Sequence, residues 1–384
     1  MADSTGLHLS TVVMHHPSRA DRLPDLLAAL EGLEPRVVTD PDPEGPPSPL
    51  RTAKRAWAAI APGATHHLVV QDDVRPVPGF ADLVRRAVAA RPDRAVSLYV
   101  NWNSPQNAYR VRRAAAAGLP FADLCDLEYT PTLGLVLPAA AAAGLASHLA
   151  ALPDHLREDD EMVTPYRRST GLGAVATVPS LLDHGSGSSL AGNAAHGARH
   201  AVVFDTAAPP DGHWTSAPGT GLDTAGRTAA DRPDHAVELT DSTCRIRLLR
   251  PLGVEPVEHP FGWPWYDWCT LLGVDRGRVV ATWRAAGRRE PRPELALELW
   301  AACYLLGVDV RTDPAGRPTP YLAGALDSWI ASGLSAADRT NLSAADREAL
   351  RSLGRLAFRT GRTDAGAAPQ HPTADPTSLE AVHG

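Results

Sequence analysis

The stretch His66-His67-Leu68-Val69-Val70-Gln71-Asp72-Asp73 decides the fold of the first half of this chain. Its apolar run predicts a short buried strand, and two adjacent carboxylates follow at the strand's C-terminal end. Ligands bind at that end of the strands in open α/β sheets. Two hard oxygen ligands there suit Mg²⁺ or Mn²⁺ beside a diphosphate. The alternative is a turn whose aspartates cap the next helix.

Strand and helix patterns alternate around this stretch. Residues 22–33, 51–61, 80–90 and 139–152 carry apolar side chains at helical spacing, and short apolar runs at 9–14, 36–38, 95–100, 132–137 and 174–178 predict strands. Such alternation predicts the α/β class, with a Rossmann-type, mainly parallel sheet and helices on both faces.

Composition changes along the chain predict four regions. Residues 1–200 form the α/β domain, and residues 201–235, rich in Pro, Gly, Thr and Asp, form a linker or long loop. Residues 236–358 regain apolar content and form a mostly helical accessory domain. Residues 359–384 are polar and Pro-, Ala- and Thr-rich, which indicates a disordered tail.

Overall composition excludes several classes of protein. The formal net charge of -7 over 384 residues argues against a nucleic-acid binder. The four cysteines form no CxxC pair, which argues against a zinc site or a disulfide framework. We find neither a signal-peptide pattern nor an apolar run of transmembrane length, so we expect a cytoplasmic protein without a transmembrane segment.

Four segments, in order, resemble GT-A-fold glycosyltransferases, which use nucleotide-sugar donors. Residues 10–19 (STVVMHHPSR) resemble the strand and loop that meet the donor nucleotide, and residues 51–60 (RTAKRAWAAI) resemble the helix before the acidic motif. Gln71-Asp72-Asp73 is similar to the DxD motif, with Gln71 in place of the first acid. Residues 178–185 (VPSLLDHG) resemble the family's late segment, where some members place a metal-binding histidine.

The resemblance implies a metal-dependent transferase and assigns roles to particular residues. It would move a sugar from a nucleoside diphosphate to an acceptor hydroxyl on a glycan, a small molecule or a protein. The donor nucleotide would meet residues on three segments: His15, Arg19, Arg51, Lys54, Gln71 and Asp72. Asp73 and His184, supported by Asp72, would hold Mn²⁺ or Mg²⁺, which neutralises the leaving diphosphate as a Lewis acid.

Simpler interpretations stay open for several of these residues. Arg51 and Lys54 equally suit a solvated helix face, and His184 equally suits a structural loop histidine. His15 and His16 either contact the nucleotide or end a strand.

An inverting transferase also needs a general base near the acceptor hydroxyl. The acidic run 158–161 offers Asp160 first and Asp159 second, in a region where the resemblance implies such a base. The alternative is that these acids complement a helix dipole.

The sequence allows two roles for each of two aromatic segments. Asn101-Trp102-Asn103 follows a predicted strand and suits contacts to sugar hydroxyls and a ring face, although Trp102 equally suits the core. The cluster 261–268 (FGWPWYDW) suits either core packing or an acceptor platform.

Two other functions are compatible with the same fold. A non-catalytic nucleotide- or sugar-binding protein is favoured by the missing first acid at Gln71. A nucleotidyltransferase is disfavoured, because residues 14–19 contain no glycine for a phosphate-binding loop.

Overall fold

The computed structural model describes residues 6–185, 198–215, 235–248, 262–287, 292–310 and 320–364. The chain forms two compact units. The first contains the described residues up to 215 together with residues 320–333, and the second contains the remaining described residues. Part of the expected linker, residues 201–215, therefore belongs to the first unit, and residues 216–234 lie outside the described residues.

A seven-stranded sheet forms the centre of the first unit. Its strands, in chain order, are β1 (Leu9–His15), β2 (Arg36–Thr39), β3 (His66–Gln71), β5 (Ala95–Ser97), β6 (Phe121–Asp123), β7 (Gly134–Pro138) and β8 (Ala174–Thr177). Their spatial order is β2-β1-β3-β7-β5-β8-β6. Strands β2, β1, β3, β5 and β8 run in one direction, whereas β7 and β6 run antiparallel to their neighbours. The prediction of an α/β fold with a mainly parallel sheet is thus confirmed.

Helices cover both faces of this sheet. They are α1 (Leu23–Ala29), α2 (Pro49–Ala58), α3 (Phe80–Ala89), α4 (Asn107–Ala117), α5 (Ala139–Ala150) and α6 (Asp160–Thr170). Successive strand residues point to opposite faces, so Val69 packs in a core with α2, α4 and α5, while Leu68 and Val70 pack in a second core with α1 and α3. Burial on both faces explains why β3 is apolar without alternation.

A small antiparallel pair lies beside the end of β3. Strand β4 (Val74–Pro76) pairs with β9 (Leu182–His184), and Val74 is the partner of His184. This pair joins the segment after the two aspartates to the late segment of the domain. It therefore brings Asp73 close to His184, which are far apart in the sequence.

Helix α10 (Leu322–Gly333) completes the first unit, although it follows much of the second unit in the chain. It packs against α4, where the guanidinium of Arg112 lies 5.1 Å from the ring centroid of Trp329. The Arg112 Nε also donates to the carbonyl of Ala325 at 3.4 Å. Trp329 and Ala325 are buried, so α10 covers a face of α4.

The second unit combines a small sheet with helices. It contains β10 (His235–Thr240), β11 (Thr243–Leu248), β12 (Trp263–Pro264), α7 (Trp265–Trp268), α8 (Arg276–Ala285), α9 (Pro293–Asp309), α11 (Ala336–Asn341) and α12 (Ala344–Thr363). Helix α9 is buried nearly all round, as its apolar sequence predicts. Ser335 and Ser343 cap α11 and α12. Helix α12 continues past residue 359, and residues 365–384 lie outside the described residues.

A helix that crosses a bilayer needs about 20 consecutive, predominantly apolar residues. Among the helices of the described residues, none is both long and apolar enough to cross a membrane.

Candidate functional site

A cavity of about 290 Å³ opens at the C-terminal ends of β1 and β3. Six residues that the sequence analysis selects line it: His15, Arg19, Arg51, Gln71, Asp72 and Asp73. Met14, two prolines of the loop before α2 and Pro49 at the start of α2 add apolar surface, and Asp40 and Arg199 add charge. The cavity lies where parallel sheets present ligand sites.

Asp72 is buried and connects the end of β3 to the loop after β1. Its Oδ2 accepts from the His16 backbone amide at 2.7 Å and lies 3.0 Å from the His15 Nδ1. Its Oδ1 accepts from Arg19 Nη1 at 2.6 Å. Both oxygens are thus engaged, and this carboxylate holds His15, His16 and Arg19 at the cavity wall.

Asp73 faces a different set of groups. Its Oδ2 lies 3.1 Å from Arg19 Nη2 and 3.3 Å from His184 Nε2. Its buried Oδ1 has no hydrogen-bond partner among the described residues. Burial opposes ionisation of Asp73, but His184 and Arg19 together outweigh it and hold the pKa below the ordinary 3.8. Asp73 is therefore a carboxylate at neutral pH.

The tautomer of His184 follows from its other ring nitrogen. His184 Nδ1 lies 2.6 Å from the Gly185 carbonyl oxygen, which can only accept, so Nδ1 carries a proton. In the neutral ring, Nε2 then presents a lone pair towards the Asp73 carboxylate. Nε2 is buried and has no partner in hydrogen-bond geometry within the described part of the chain. A proton or a metal ion between the two groups relieves the repulsion between their lone pairs.

The Asp73 carboxylate and the His184 imidazole together fit a divalent cation whose remaining coordination positions are filled by a bound ligand. A histidine that binds a metal through Nε2 commonly donates its Nδ1 proton to a carbonyl, which fixes the orientation of the ring. No cluster of three or more His, Cys, Asp or Glu side chains suited to a metal ion occurs within the described ranges. Mg²⁺ sites typically use one or two carboxylates and complete their coordination with substrate phosphates and water. A two-residue set therefore suits a metal that binds together with a phosphorylated ligand.

Arg51 holds the loop that forms one wall of the cavity. Its Nε and Nη2 donate to the two oxygens of Asp40 at 2.6 and 2.8 Å, and its Nη1 donates to the Pro46 carbonyl at 3.0 Å. Burial opposes ionisation of Asp40, but Arg51 lowers its pKa. Arg51 thus holds the loop at residues 40–49, which has no regular pattern in the sequence, through a bidentate ion pair at Asp40 and a hydrogen bond at Pro46.

Lys54 and Gln71 have contacts on other sides of the site. Lys54 Nζ donates to the Leu152 carbonyl at 2.7 Å and to Asp154 at 3.0 Å, and it is not among the residues that line the cavity. Gln71 lines the cavity, and its Nε2 donates to Thr132 Oγ1 at 3.4 Å. Gln71 thus connects the cavity to the loop before β7.

The adjacent acids Asp159 and Asp160 form hydrogen bonds with the loop before β7. Thr132 forms a side-chain hydrogen bond with Asp159, and the Thr130 amide donates to the Asp160 carbonyl at 3.4 Å. Burial raises the pKa of Asp159 to about 6, and burial together with the Asp159 charge raises the pKa of Asp160 to about 7. The two acids interact, so their protons are lost in two steps whose apparent pKa values belong to the pair.

Trp102 holds a segment that the sequence analysis did not select. Its Nε1 donates to the Ala198 carbonyl at 2.8 Å, and its amide donates to the His200 carbonyl at 2.9 Å. Asn103 Nδ2 also donates to Ala198. These contacts give Asn101-Trp102-Asn103 a structural part in placing residues 198–201.

Arg199 and Thr132 are the site residues that the sequence analysis missed. Arg199 lines the cavity with Asp72 and Asp73, and Thr132 joins Gln71 to Asp159. Thr132 begins a run that predicts a strand and Arg199 lies in a segment without a periodic pattern, and tertiary contacts bring both to the site. A lone arginine after a Gly- and Ser-rich stretch carries no local signal.

In the second unit, the aromatic residues of the cluster at 261–268 differ in solvent exposure. Trp265 is buried, and its Nε1 donates to Glu298 at 3.2 Å. The rings of Trp263 and Trp268 lie 4.8 Å apart, and Tyr266 is exposed. Core packing therefore accounts for Trp265. Residue 261, at the start of the cluster, lies outside the described residues.

Comparison with known proteins adds no family to these observations. Neither a protein-family model nor a curated protein matches this sequence.

Proposed function

We propose that the first unit is a GT-A-like glycosyltransferase domain, which transfers a sugar from a nucleoside-diphosphate sugar to an acceptor hydroxyl. The observation that carries the proposal is the pairing of Asp73 with His184 at the wall of the cavity. Two metal-ligating side chains, one with a fixed tautomer, lie there beside Arg19 at the C-terminal edge of the sheet.

The cavity suits a nucleotide in shape and chemistry. Apolar surface from Met14 and the loop prolines lies beside charged groups at the other residues of its wall. Ligand sites commonly combine an apolar lining with a few convergent polar groups. The base and ribose would lie against the loop ordered by Arg51, and the diphosphate would lie towards Asp73.

Asp73 and His184 would hold the divalent cation, Mn²⁺ or Mg²⁺. When bound, the cation would supply Lewis-acid neutralisation of the departing diphosphate. Arg19 would position the two acids, because its guanidinium contacts both carboxylates. Asp72 would act chiefly through the three residues that it holds.

Asp160 would accept the proton of the acceptor hydroxyl, with Asp159 as its partner. A carboxyl whose pKa lies near 7 both ionises at neutral pH and retains enough basicity to take up a proton. The path Gln71–Thr132–Asp159 ties this pair to the end of β3. Base and donor would therefore be positioned by the same loop.

A non-catalytic nucleotide-binding protein is the second candidate. The engagement of both Asp72 oxygens in protein contacts favours it, because it leaves a metal site of two side chains. A nucleotidyltransferase has no such support.

Release of nucleoside diphosphate from a panel of nucleotide sugars tests the proposal. We expect the intact chain to release one diphosphate in the presence of Mn²⁺, through slow hydrolysis or transfer. Asp73→Asn should abolish release, whereas Asp82→Asn, on the exposed face of α3, should leave it unchanged. Binding of a nucleotide sugar without release under any acceptor condition would instead establish the binding protein.

A further inference from the structure

Two of the arginines that line the cavity form ion pairs with carboxylates of the protein. Arg19 is neutralised by Asp72 and Asp73, with contacts of 2.6 and 3.1 Å. Arg51 is neutralised by Asp40 in a bidentate pair. The arginines that the sequence singled out for an anionic ligand are therefore already paired with carboxylates of the protein.

Arg199 differs from both. It is half-buried and lines the same cavity as Asp72 and Asp73. Among the described residues, no carboxylate forms an ion pair with it.

The backbone around Arg199 is fixed by several independent hydrogen bonds. Tyr99 donates its hydroxyl to the Arg199 carbonyl at 2.5 Å, and Trp102 Nε1 donates to the Ala198 carbonyl at 2.8 Å. The buried carboxylate of Asp183 accepts from the Ala201 amide at 2.7 Å and lies 3.1 Å from His200 Nδ1. Because these hydrogen bonds already fix the backbone, the segment loses less conformational entropy on ligand binding than a flexible loop would.

We propose that Arg199 is the residue that binds the phosphate groups of the cavity's ligand directly. This inference rests on the proposed function for the identity of the ligand, a nucleoside diphosphate. Arg199 is a binding residue in this account, whereas Arg51 positions the loop and Arg19 positions the acids.

The physical reason is the balance of charge on the part of the cavity wall that contains Asp73 and Arg199. A diphosphate brings negative charge next to the Asp73 carboxylate, and a like charge in a partly buried site is unfavourable unless a cation lies between or beside them. The planar guanidinium offers paired donors that match phosphate oxygens, and such charge-assisted bonds are short and strong. An arginine without a protein carboxylate can supply them without breaking an existing ion pair.

Calorimetric titration of the full chain tests this assignment. The probes are inorganic pyrophosphate, the common nucleoside diphosphates and the corresponding nucleosides, each with and without Mn²⁺. The variants are Arg199→Ala and Arg199→Lys, with Arg86→Ala on the exposed face of α3 as the matched control. Circular dichroism and thermal unfolding establish that each variant is folded.

We expect Arg199→Ala to weaken nucleoside diphosphate binding by about tenfold to a hundredfold. Nucleoside affinity should not change, because a nucleoside lacks the phosphates. Arg199→Lys should recover part of the loss, since it restores the charge without the planar fork. Arg86→Ala should bind like the unmodified protein.

The outcomes separate this inference from the proposed function. Equal diphosphate affinity in Arg199→Ala and the unmodified protein would overturn the role of Arg199 and leave the transferase proposal standing. Pyrophosphate binding that depends on Arg199, with no nucleotide bound, would support the phosphate site and remove the nucleotide donor. Failure of the unmodified protein to bind any of these anions would overturn both.

Discussion

His184 Nε2 lies 3.3 Å from Asp73 Oδ2, and the pairing of β4 with β9 creates this contact. Gly185 secures it from the backbone, because its amide donates to the Asp73 carbonyl at 2.7 Å while its own carbonyl accepts from His184 Nδ1. Two residues from distant parts of the first unit therefore share one short backbone junction.

Gly185→Ala should disturb the junction. A Cβ at this position would lie 2.9 Å from the Asp73 carbonyl oxygen, a backbone atom that cannot move aside alone. We expect a loss of about 1–3 kcal/mol in the free energy of unfolding, together with weaker metal-dependent nucleotide binding. Urea unfolding and calorimetry measure the two effects.

Gly324→Ala is the matched control for that substitution. Its Cβ would meet only Val203 Cγ1, at an ordinary 3.8 Å, and alanine is favoured within a helix. Unchanged binding in both variants would show that the junction does not position the site.

Arg51→Ala should destabilise the first unit by about 1–3 kcal/mol, because it leaves the buried Asp40 carboxylate without its bidentate partner. Arg51→Lys should restore only part of the stability, since a lysine cannot form two parallel bonds. Chemical denaturation checks this expectation, with Arg86→Ala as the control. A loss confined to ligand affinity, with no change in unfolding free energy, would contradict the structural role of Arg51.

Asp160 should make stability and activity depend on pH in opposite directions. Because folding raises this pKa from 3.8 to about 7, the folded state holds the proton more tightly than the unfolded chain. The stabilisation is fully present below the unfolded pKa and is lost as the pH rises through the folded value. Relative to Asp160→Asn, the protein should lose on the order of 4 kcal/mol of unfolding free energy between about pH 4 and 8.

Transfer should rise over the upper part of that pH range, because the base acts only after its proton has left. Unfolding experiments at several pH values, paired with rate profiles, measure both effects. A stability difference between the protein and Asp160→Asn that does not change with pH would contradict the raised pKa.

Asp183→Ala should release the segment that carries Arg199. The substitution removes the acceptor for the Ala201 amide and for His200, and it also removes the partner of Arg75. We expect a loss of about 1–3 kcal/mol in unfolding free energy and a weaker affinity for pyrophosphate, measured by calorimetry. Asp82→Ala, at an exposed position, should change neither. Full pyrophosphate affinity in Asp183→Ala would show that Arg199 does not depend on this anchor.

Local sequence patterns predict much of the sheet and most of its helices. The apolar run before Asp72 becomes β3, and the apolar spacing of residues 80–90 becomes α3 with Phe80, Leu83 and Val84 buried. These elements follow from periodicity because burial repeats with the period of the backbone. The antiparallel direction of β7 and β6 has no such signature, since strand direction depends on the paths of the connections.

Much of the site lies beyond local patterns. Helix α4 has polar residues within an Ala-rich stretch and joins the core only through contacts with other elements, α10 among them. Arg199 reaches the cavity because Tyr99, Trp102 and Asp183 hold its segment. The acidic pair at residues 72–73 is visible in the sequence, but the division of labour between Asp72 and Asp73 depends on which groups fold against each oxygen.

Binding of Mn²⁺ in the presence of nucleoside diphosphate, measured by electron paramagnetic resonance, tests the central claim most directly. The account predicts that Mn²⁺ binds the protein tightly only with the nucleotide, and that Asp73→Asn and His184→Ala each abolish this binding while Asp82→Asn retains it. Nucleotide-dependent Mn²⁺ binding that survives in both Asp73→Asn and His184→Ala would contradict the account.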